Sequence, residues 1–183
     1  MSANIVRMVI GSWGSYNACN ERALGSKWLD FDNYDDWEEI EEELEREGFK
    51  LNGIDAELFV QDIEGVPDGT NWDYVHPQRI FELIKKSGIL DDKYKYEVME
   101  AFCEVRSFRE WEELVDCNEE SWNDDIYLYR GYSWADYGRE IFENACYDLP
   151  DNLEDYIDFE QYGEDKGNDY AYRYSHGIIE IIE

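Results

Sequence analysis

A long acidic stretch that is also rich in aromatic residues limits the possible folds of this chain most strongly. Residues 110–165 contain nineteen Asp and Glu but only two basic residues, Arg130 and Arg139. A disordered acidic tail would lack large apolar side chains, because it has no core to fill. Here twelve aromatic residues, including Trp111 and Trp134, are spread through the same stretch. We therefore predict a folded segment that holds many carboxylates in fixed positions.

The net charge is extreme for 183 residues, and it is concentrated in two blocks. Of the total charge of −30, residues 30–65 carry −13 and residues 110–165 carry −17, whereas residues 66–109 are nearly neutral. Such a chain should not bind nucleic acid directly, because phosphates would be repelled, nor an anionic membrane surface. The expected partner is a basic protein surface. Plain solubility, or adaptation to high salt, is the alternative explanation.

The hydrophobic pattern predicts an α+β fold, arranged as an elongated chain of three small domains. Residues 1–68 are predicted to form an N-terminal ββαβ domain. Residues 69–119 are predicted to form a central helical domain. Residues 120–183 are predicted to form a C-terminal α+β domain with a small antiparallel sheet.

In the first domain, strands are predicted at residues 4–10, 28–31 and 56–63, with a long loop between the first two. Asp32 or Asn33 is predicted to cap the helix between the second and third strands. The buried stripe of this helix has spacings of three and four residues and consists of Trp37, Ile40 and Leu44.

The remainder of the chain is predicted to be mainly helical, with a terminal hairpin. Pro77 should begin a helix that Gly88 ends, and two further helices should follow, at 91–105 and from a capping box at Ser107. The C-terminal domain has a predicted strand at 125–130 and one or two short helices in 150–165. Its last strands are predicted at 170–174 and 178–182. A second capping box, Ser133 to Asp136, should begin a helix that buries Trp134, Tyr137, Ile141 and Ala145.

Catalytic and metal sites are only weakly indicated. With 46 acidic residues, close carboxylate pairs arise by chance, so a glycosidase-like pair carries little information. The two histidines, His76 and His176, are predicted to be structural. The segment 30–36 fails the EF-hand pattern, because Tyr34 and Asp35 occupy the positions that require an oxygen ligand and a glycine. We therefore predict no catalytic residue, no metal ligand and no cofactor.

The cysteines indicate a reducing compartment. They form no CxxC pair, and we expect no signal peptide or membrane span, which predicts a cytoplasmic protein. The expected role of their free thiols is mainly to fill the core. The four cysteines are Cys19, Cys103, Cys117 and Cys146.

A more specific explanation of the acidic faces is imitation of a DNA duplex. Duplex DNA carries one negative charge per ~1.7 Å of axis, so thirty charges match about 50 Å of duplex. The candidate protein-binding residues are the acids expected to face outward, and each should contribute only about 0–1 kcal/mol. They are Glu38, Glu39, Glu42, Glu43, Glu112, Glu113, Asp116, Glu119, Glu120, Asp124, Asp125, Asp136, Glu140, Glu143, Asp151, Glu154, Asp155 and Asp158.

Several short segments, taken in order, carry a family resemblance. They are Tyr16-Asn17, Leu24-Gly25, Trp28-Leu29-Asp30-Phe31, the segment from Phe59 to Gly65, Leu149-Pro150, Tyr156 to Glu160, Tyr162-Gly163 and His176-Gly177-Ile178. Their order and spacing resemble the ArdA-type antirestriction proteins carried by conjugative plasmids and transposons. The resemblance covers nearly the whole chain.

This resemblance implies a curved, usually dimeric, non-enzymatic protein whose carboxylates imitate the phosphates of bent B-form DNA. The implied target is the DNA-binding groove of type I restriction–modification enzymes, at the specificity and methyltransferase subunits. Occupying that groove would block restriction of incoming DNA and can reduce modification as well. An acidic adaptor or chaperone that sequesters basic nucleoid or DNA-binding proteins is the alternative function.

Overall fold

The computed structural model describes residues 5–67, 75–145 and 156–182, apart from the side chain of Glu120. The predicted α+β class is confirmed: the described residues form seven α-helices and two three-stranded antiparallel sheets. The chain forms two compact units. Unit 1 is Met1–Glu97 with Phe108–Trp122, and unit 2 is Val98–Ser107 with Asn123–Glu183. The division into three domains stays a prediction.

In the sheet of unit 1, the first and third strands pair over the greatest length. Strand β1 (Arg7–Ser12) lies between β2 (Leu29–Asp30) and β3 (Leu58–Glu64), and both neighbours are antiparallel to it. Met8 and Ile10 of β1 are fully buried. The three predicted strands are therefore present, although β1 continues two residues beyond its predicted end.

A short helix, α1 (Trp13–Ala18), follows β1 directly. The side chain of Ser12 caps it by accepting the backbone N–H of Ser15. The prediction of a continuous loop here was wrong, because six residues are too few to show a helical hydrophobic period. A cap residue was the only available sequence signal.

Helix α2 (Trp37–Arg46) buries the predicted stripe of Trp37, Ile40 and Leu44. Its N-cap is Asp36, whose carboxylate accepts the backbone N–H of Glu39 at 3.1 Å. The prediction of Asp32 or Asn33 as the cap was wrong. Both residues lie in a short 3₁₀ turn, Phe31–Asn33, that separates β2 from the helix.

Three more helices follow: α3 (Pro77–Ser87), α4 (Lys93–Val105) and α5 (Phe108–Asn118). The predicted start of α3 at Pro77 and its end at Gly88 are confirmed. His76 caps α3 through Nδ1, which accepts the backbone N–H of Gln78, so its structural role is confirmed. A 3₁₀ turn, Glu119–Ser121, continues from α5.

Unit 2 is built on a sheet in the order β4 (Ile126–Arg130), β6 (Gly177–Ile181), β5 (Ala171–Tyr174). The antiparallel pairing of β5 with β6 confirms the predicted C-terminal hairpin. Helices α6 (Trp134–Asn144) and α7 (Phe159–Gly167) complete the unit. Helix α7 confirms a helix in the later part of the predicted 150–165 segment, whose first six residues lie outside the described ranges.

The core of unit 2 differs from the predicted helix face. Tyr137 is buried as predicted, but Trp134 and Ile141 are only half-buried and Ala145 is exposed. The prediction was wrong for Ala145, whereas Trp134 and Ile141 still pack against this core. Gly138 and Gly163 let α6 and α7 approach closely. A Cβ on Gly138 would overlap the carbonyl oxygen of Phe159. Contact of the helix backbones leaves less room for side chains between the helices.

The free thiols do not mainly fill the core. Cys19 and Cys117 are exposed, so the prediction was wrong for both. Cys103 is half-buried, and desolvation raises the pKa of its thiol to about 12. Cys146 lies outside the described residues. None of the helices in the described ranges is long and apolar enough to cross a lipid bilayer.

Candidate functional site: the acidic helix faces

Helix α2 carries the densest row of carboxylates among the described helices. It has six glutamates and one arginine in ten residues, and Glu38, Glu39 and Glu42 are exposed as predicted. Glu43 is half-buried, and its carboxylate pairs with Arg46. The Arg46 guanidinium also lies 3.4 Å from Glu42. The acidic face of α2 is therefore partly neutralised at its C-terminal end.

Two acids of this face were missed by the sequence analysis. Glu41 and Glu45 are both exposed on α2. On a helical wheel centred opposite the buried stripe, Glu45 lies closer to the outward direction than Glu43 does. The exposure of Glu45 could therefore have been predicted from its spacing relative to the buried residues. Glu41 flanks the buried stripe, so its exposure depends on the neighbouring elements.

The acids of α5 are partly neutralised by basic residues of α3. Arg79 donates to Glu112 at 2.9 Å and also pairs with Asp116, and Lys86 Nζ lies 3.7 Å from Asp116. The hydrogen bond from Arg79 holds the pKa of the Asp116 carboxyl below its ordinary value. Glu113, which is exposed, pairs with Arg109 one turn earlier. This face presents less net negative charge than its sequence suggests.

The segment after α5 carries further exposed acids. Glu119 lies 3.8 Å from Lys86, and Asp124 and Asp125 are exposed just before β4. The side chain of Glu120 lies outside the described part of the chain. Asp124 and Asp125 belong to unit 2, so exposed candidate acids are present in both units.

The candidate acids of α6 have local structural roles as well. Asp136 forms the predicted capping box with Ser133, and this hydrogen bonding lowers the pKa of the Asp136 carboxyl. Glu140 is half-buried and accepts the Tyr132 hydroxyl at 3.3 Å. Its negative charge raises the pKa of Tyr132. Glu143 is exposed.

Asp136, Glu140 and Glu143 share an open groove of about 390 Å³ with two arginines, Arg130 and Arg139. Its charges are therefore mixed.

The last candidate acids lie near α7. Asp158 caps α7 by accepting the backbone N–H of Gln161 at 3.1 Å. Asp151, Glu154 and Asp155 lie outside the described residues. Asp158 thus has a structural role whether or not it contacts a partner, because its carboxylate satisfies an otherwise unpaired helix N–H.

The described residues contain no group of three or more His, Cys, Asp or Glu side chains placed to hold a metal ion. Most of the described candidate acids lie on helix surfaces, where they can attract basic groups. The arrangement is suited to binding an extended cationic surface.

Comparison with known proteins identifies the family of the chain. The family model described as Antirestriction protein (ArdA) matches residues 8–180. A search of curated proteins gives no match. The matched range includes every helix and strand described above except the first residue of β1 and the last of β6. The chain belongs to the ArdA family of antirestriction proteins.

Proposed function

We propose that this protein inhibits type I restriction–modification enzymes by occupying their DNA-binding groove, at the specificity and methyltransferase subunits. Its surface carboxylates stand in for the phosphates of bent B-form DNA. It blocks restriction of incoming DNA, can reduce modification as well, and catalyses no reaction. The proposal includes a homodimer, as the family resemblance implied, and a cytoplasmic location, as the cysteine pattern indicated.

The charge spacing of α2 is the observation that carries this proposal. Its ten residues span about 15 Å at ~1.5 Å per residue. Six glutamates and Arg46 give a net charge of five negative units over that length. This is roughly one charge per 3 Å, and a single DNA strand carries one phosphate per ~3.4 Å of axis. The helix therefore matches the linear charge density of one strand.

Rigidity of this row supports the proposal further. Trp37, Ile40 and Leu44 are buried on the opposite side of α2, so the helix cannot rotate to redistribute its charge. Fixed charges need no reorganisation when a partner binds, which lowers the cost of association. A flexible acidic tail would have to pay that ordering cost.

The faces of α5 and α6 are weaker candidates under this proposal. Arg79 and Lys86 already neutralise part of the α5 face, and the α6 face shares its groove with Arg130 and Arg139. We therefore place the principal phosphate-like row on α2. The other candidate acids contribute attraction over a longer range, which mainly increases the association rate.

A block substitution in α2 tests the proposal. The test variant changes Glu38, Glu41, Glu42 and Glu45 to glutamine, which has similar helix propensity. If each contact contributes about 0.5 kcal/mol, the loss is about 2 kcal/mol, or roughly thirty-fold in Kd. Affinity for a purified type I methyltransferase is measured at several salt concentrations, with duplex DNA as competitor.

The matched control removes the same number of charges from separate places. It changes Asp62, Glu82, Asp91 and Asp169, all exposed, to their amides. We expect near-normal inhibition from the control and a shallower salt dependence from the α2 variant. Equal losses in both variants would contradict a phosphate-like row. Equal capture of an unrelated basic nucleoid protein by the wild type would favour the adaptor function.

A further inference from the structure

Helix α1 of unit 1 has an inverted pattern of burial. Its one buried residue is Ser15, whereas Trp13 and Tyr16 are 39% and 54% exposed. Their rings form a cluster with the buried Phe59. Trp13 stacks on Phe59 at 4.2 Å between centroids, and Tyr16 meets Trp13 edge-on at 6.0 Å. Single exposed aromatic residues are common, but a packed exposed group is typical of a contact surface.

Hydrogen bonds to the buried Ser15 hold α1 in this orientation. The Ser15 hydroxyl donates to the carboxylate of Asp55, which is itself buried, and the Asn20 amide donates to Ser15 at 2.9 Å. Gly14 lies against Ile54 so closely that a Cβ would overlap the Ile54 carbonyl oxygen. The fold thus fixes the helix through its polar side and leaves the aromatic rings outside.

One exposed acidic residue, Glu57, is bonded through its backbone to the start of α1. Trp13 donates its backbone N–H to the carbonyl of Glu57 at 3.0 Å, and the side chain of Glu57 is exposed. Exposed aromatic rings on a segment that also carries an exposed acid suit a guanidinium group, which can stack on a ring and pair with a carboxylate. The same chain uses this chemistry internally. Arg7 lies 4.8 Å above the Trp28 ring and pairs with Glu64 at 2.7 Å.

We propose that the patch formed by Trp13, Tyr16 and Glu57, here called the aromatic patch, binds an arginine-bearing part of the same DNA-binding surface that the carboxylates engage. This inference rests on the proposed function and deepens it. Arginines that meet phosphates on DNA would stack on aromatic rings in the inhibitor. Trp, Tyr and Arg are the residues most often found to dominate protein interfaces.

The aromatic patch gives the inhibitor an advantage that charge alone cannot supply. Attraction between exposed charges weakens with salt for the mimic as it does for DNA. A close stacked contact is screened much less, because little solvent separates its groups. The aromatic patch therefore adds affinity that survives at salt concentrations where phosphate-like contacts are weak.

The test variant is the double substitution Trp13→Ala with Tyr16→Ala. Its Kd for a purified type I methyltransferase is measured against salt, with duplex DNA as competitor. We expect a loss of tenfold or more that is the same at low and high salt, so the salt slope stays at the wild-type value. The single variant Trp13→Phe, which keeps an aromatic ring at that position, should retain most of the wild-type affinity.

Tyr127→Ala provides the matched control, because Tyr127 is similarly exposed at 45% but lies in unit 2. It should bind like the wild type. If the double variant fails to fold, the single variant Tyr16→Ala is measured in its place. It should still weaken binding at every salt concentration. Wild-type affinity of the folded variant, or a loss confined to low salt, would overturn the inference.

The α2 block variant separates this inference from the proposed function. If the α2 variant loses affinity and the aromatic variant does not, the inference alone is wrong. If neither loses affinity, the proposed function fails as well. The oligomeric state of the aromatic variant is measured by light scattering. A changed state with unchanged affinity would assign the aromatic patch to contact between copies of the chain and overturn the inference.

Discussion

Replacing Asp55 with asparagine should destabilise unit 1 in a way that depends on pH. In the native protein, one carboxylate oxygen accepts the Ser15 hydroxyl and the other accepts the backbone N–H of Lys50 at 2.7 Å. An asparagine has nearly the same shape, but its single amide oxygen can accept only one of these bonds, and its NH₂ group would face the other donor. Because hydrogen bonds to a charged group contribute about 1.5–3 kcal/mol, we expect a loss near 2 kcal/mol at pH 7.

The sign of the pH dependence follows from the shifted pKa of Asp55. Burial alone would raise this pKa, but the hydrogen bonds from Ser15, Lys50 and Ser12 outweigh burial and place it below the ordinary value of 3.8. The native state therefore favours the ionised form. The resulting stabilisation is fully present above the unfolded pKa and is lost as the pH falls through the lower folded pKa.

Urea denaturation at pH 7, 5, 4 and 3 measures this effect for the wild type, Asp55→Asn and an exposed control, Asp62→Asn. The control matters because the whole chain loses negative charge as the pH falls. We expect the stability difference between wild type and Asp55→Asn to be constant from pH 7 to 5 and to shrink below pH 4. A difference that grows on acidification, or a neutral substitution at pH 7, would refute the reasoning.

Three further outcomes test the scaffold and the proposed function. Trp111→Ala, which removes a fully buried ring that meets Trp122 edge-on at 5.7 Å, should cost about 3–5 kcal/mol in urea denaturation, and half-buried Trp134→Ala should cost less. A folded Trp111→Ala variant that loses only binding would make this ring a contact residue. Gly138→Ala should destabilise unit 2 by about 1–3 kcal/mol through overpacking, whereas Gly53→Ala, with its nearest neighbour at 3.5 Å, should not. No single amide substitution among the candidate acids should abolish inhibition in a restriction assay, and one that did would contradict a distributed contact.

The elements with a clear hydrophobic period could be predicted from the sequence. The stripe of Trp37, Ile40 and Leu44 predicted both α2 and its buried side. Pro77 and Gly88 marked the ends of α3, because each of these residues restricts the backbone locally. The residues of α1 gave no such signal, since its burial is inverted and its stabilising partner, Asp55, lies 40 positions away in the sequence.

The candidate site, too, could be predicted only in part from the sequence. The concentration of charge and the resemblance to the ArdA family could be read from the sequence, and the family match over residues 8–180 confirms that resemblance. The neutralisation of the α5 face could not be read, because Arg79 approaches Glu112 and Asp116 only once α3 and α5 are packed. Net charge adds along a sequence, whereas the charge that a partner meets depends on which ions pair in three dimensions.

The sequence by itself determined that this chain is acidic, folded and α+β, because composition and periodicity are local properties of the residues. Only the tertiary structure decided which acids remain available and which aromatic side chains face outward. Helix α1 is the clearest case: hydrogen bonds from Ser15 and Asn20 around a buried carboxylate orient Trp13 and Tyr16 toward solvent, against the usual preference for burying large rings. Such an orientation depends on partners that are distant in the sequence, and only folding brings them together.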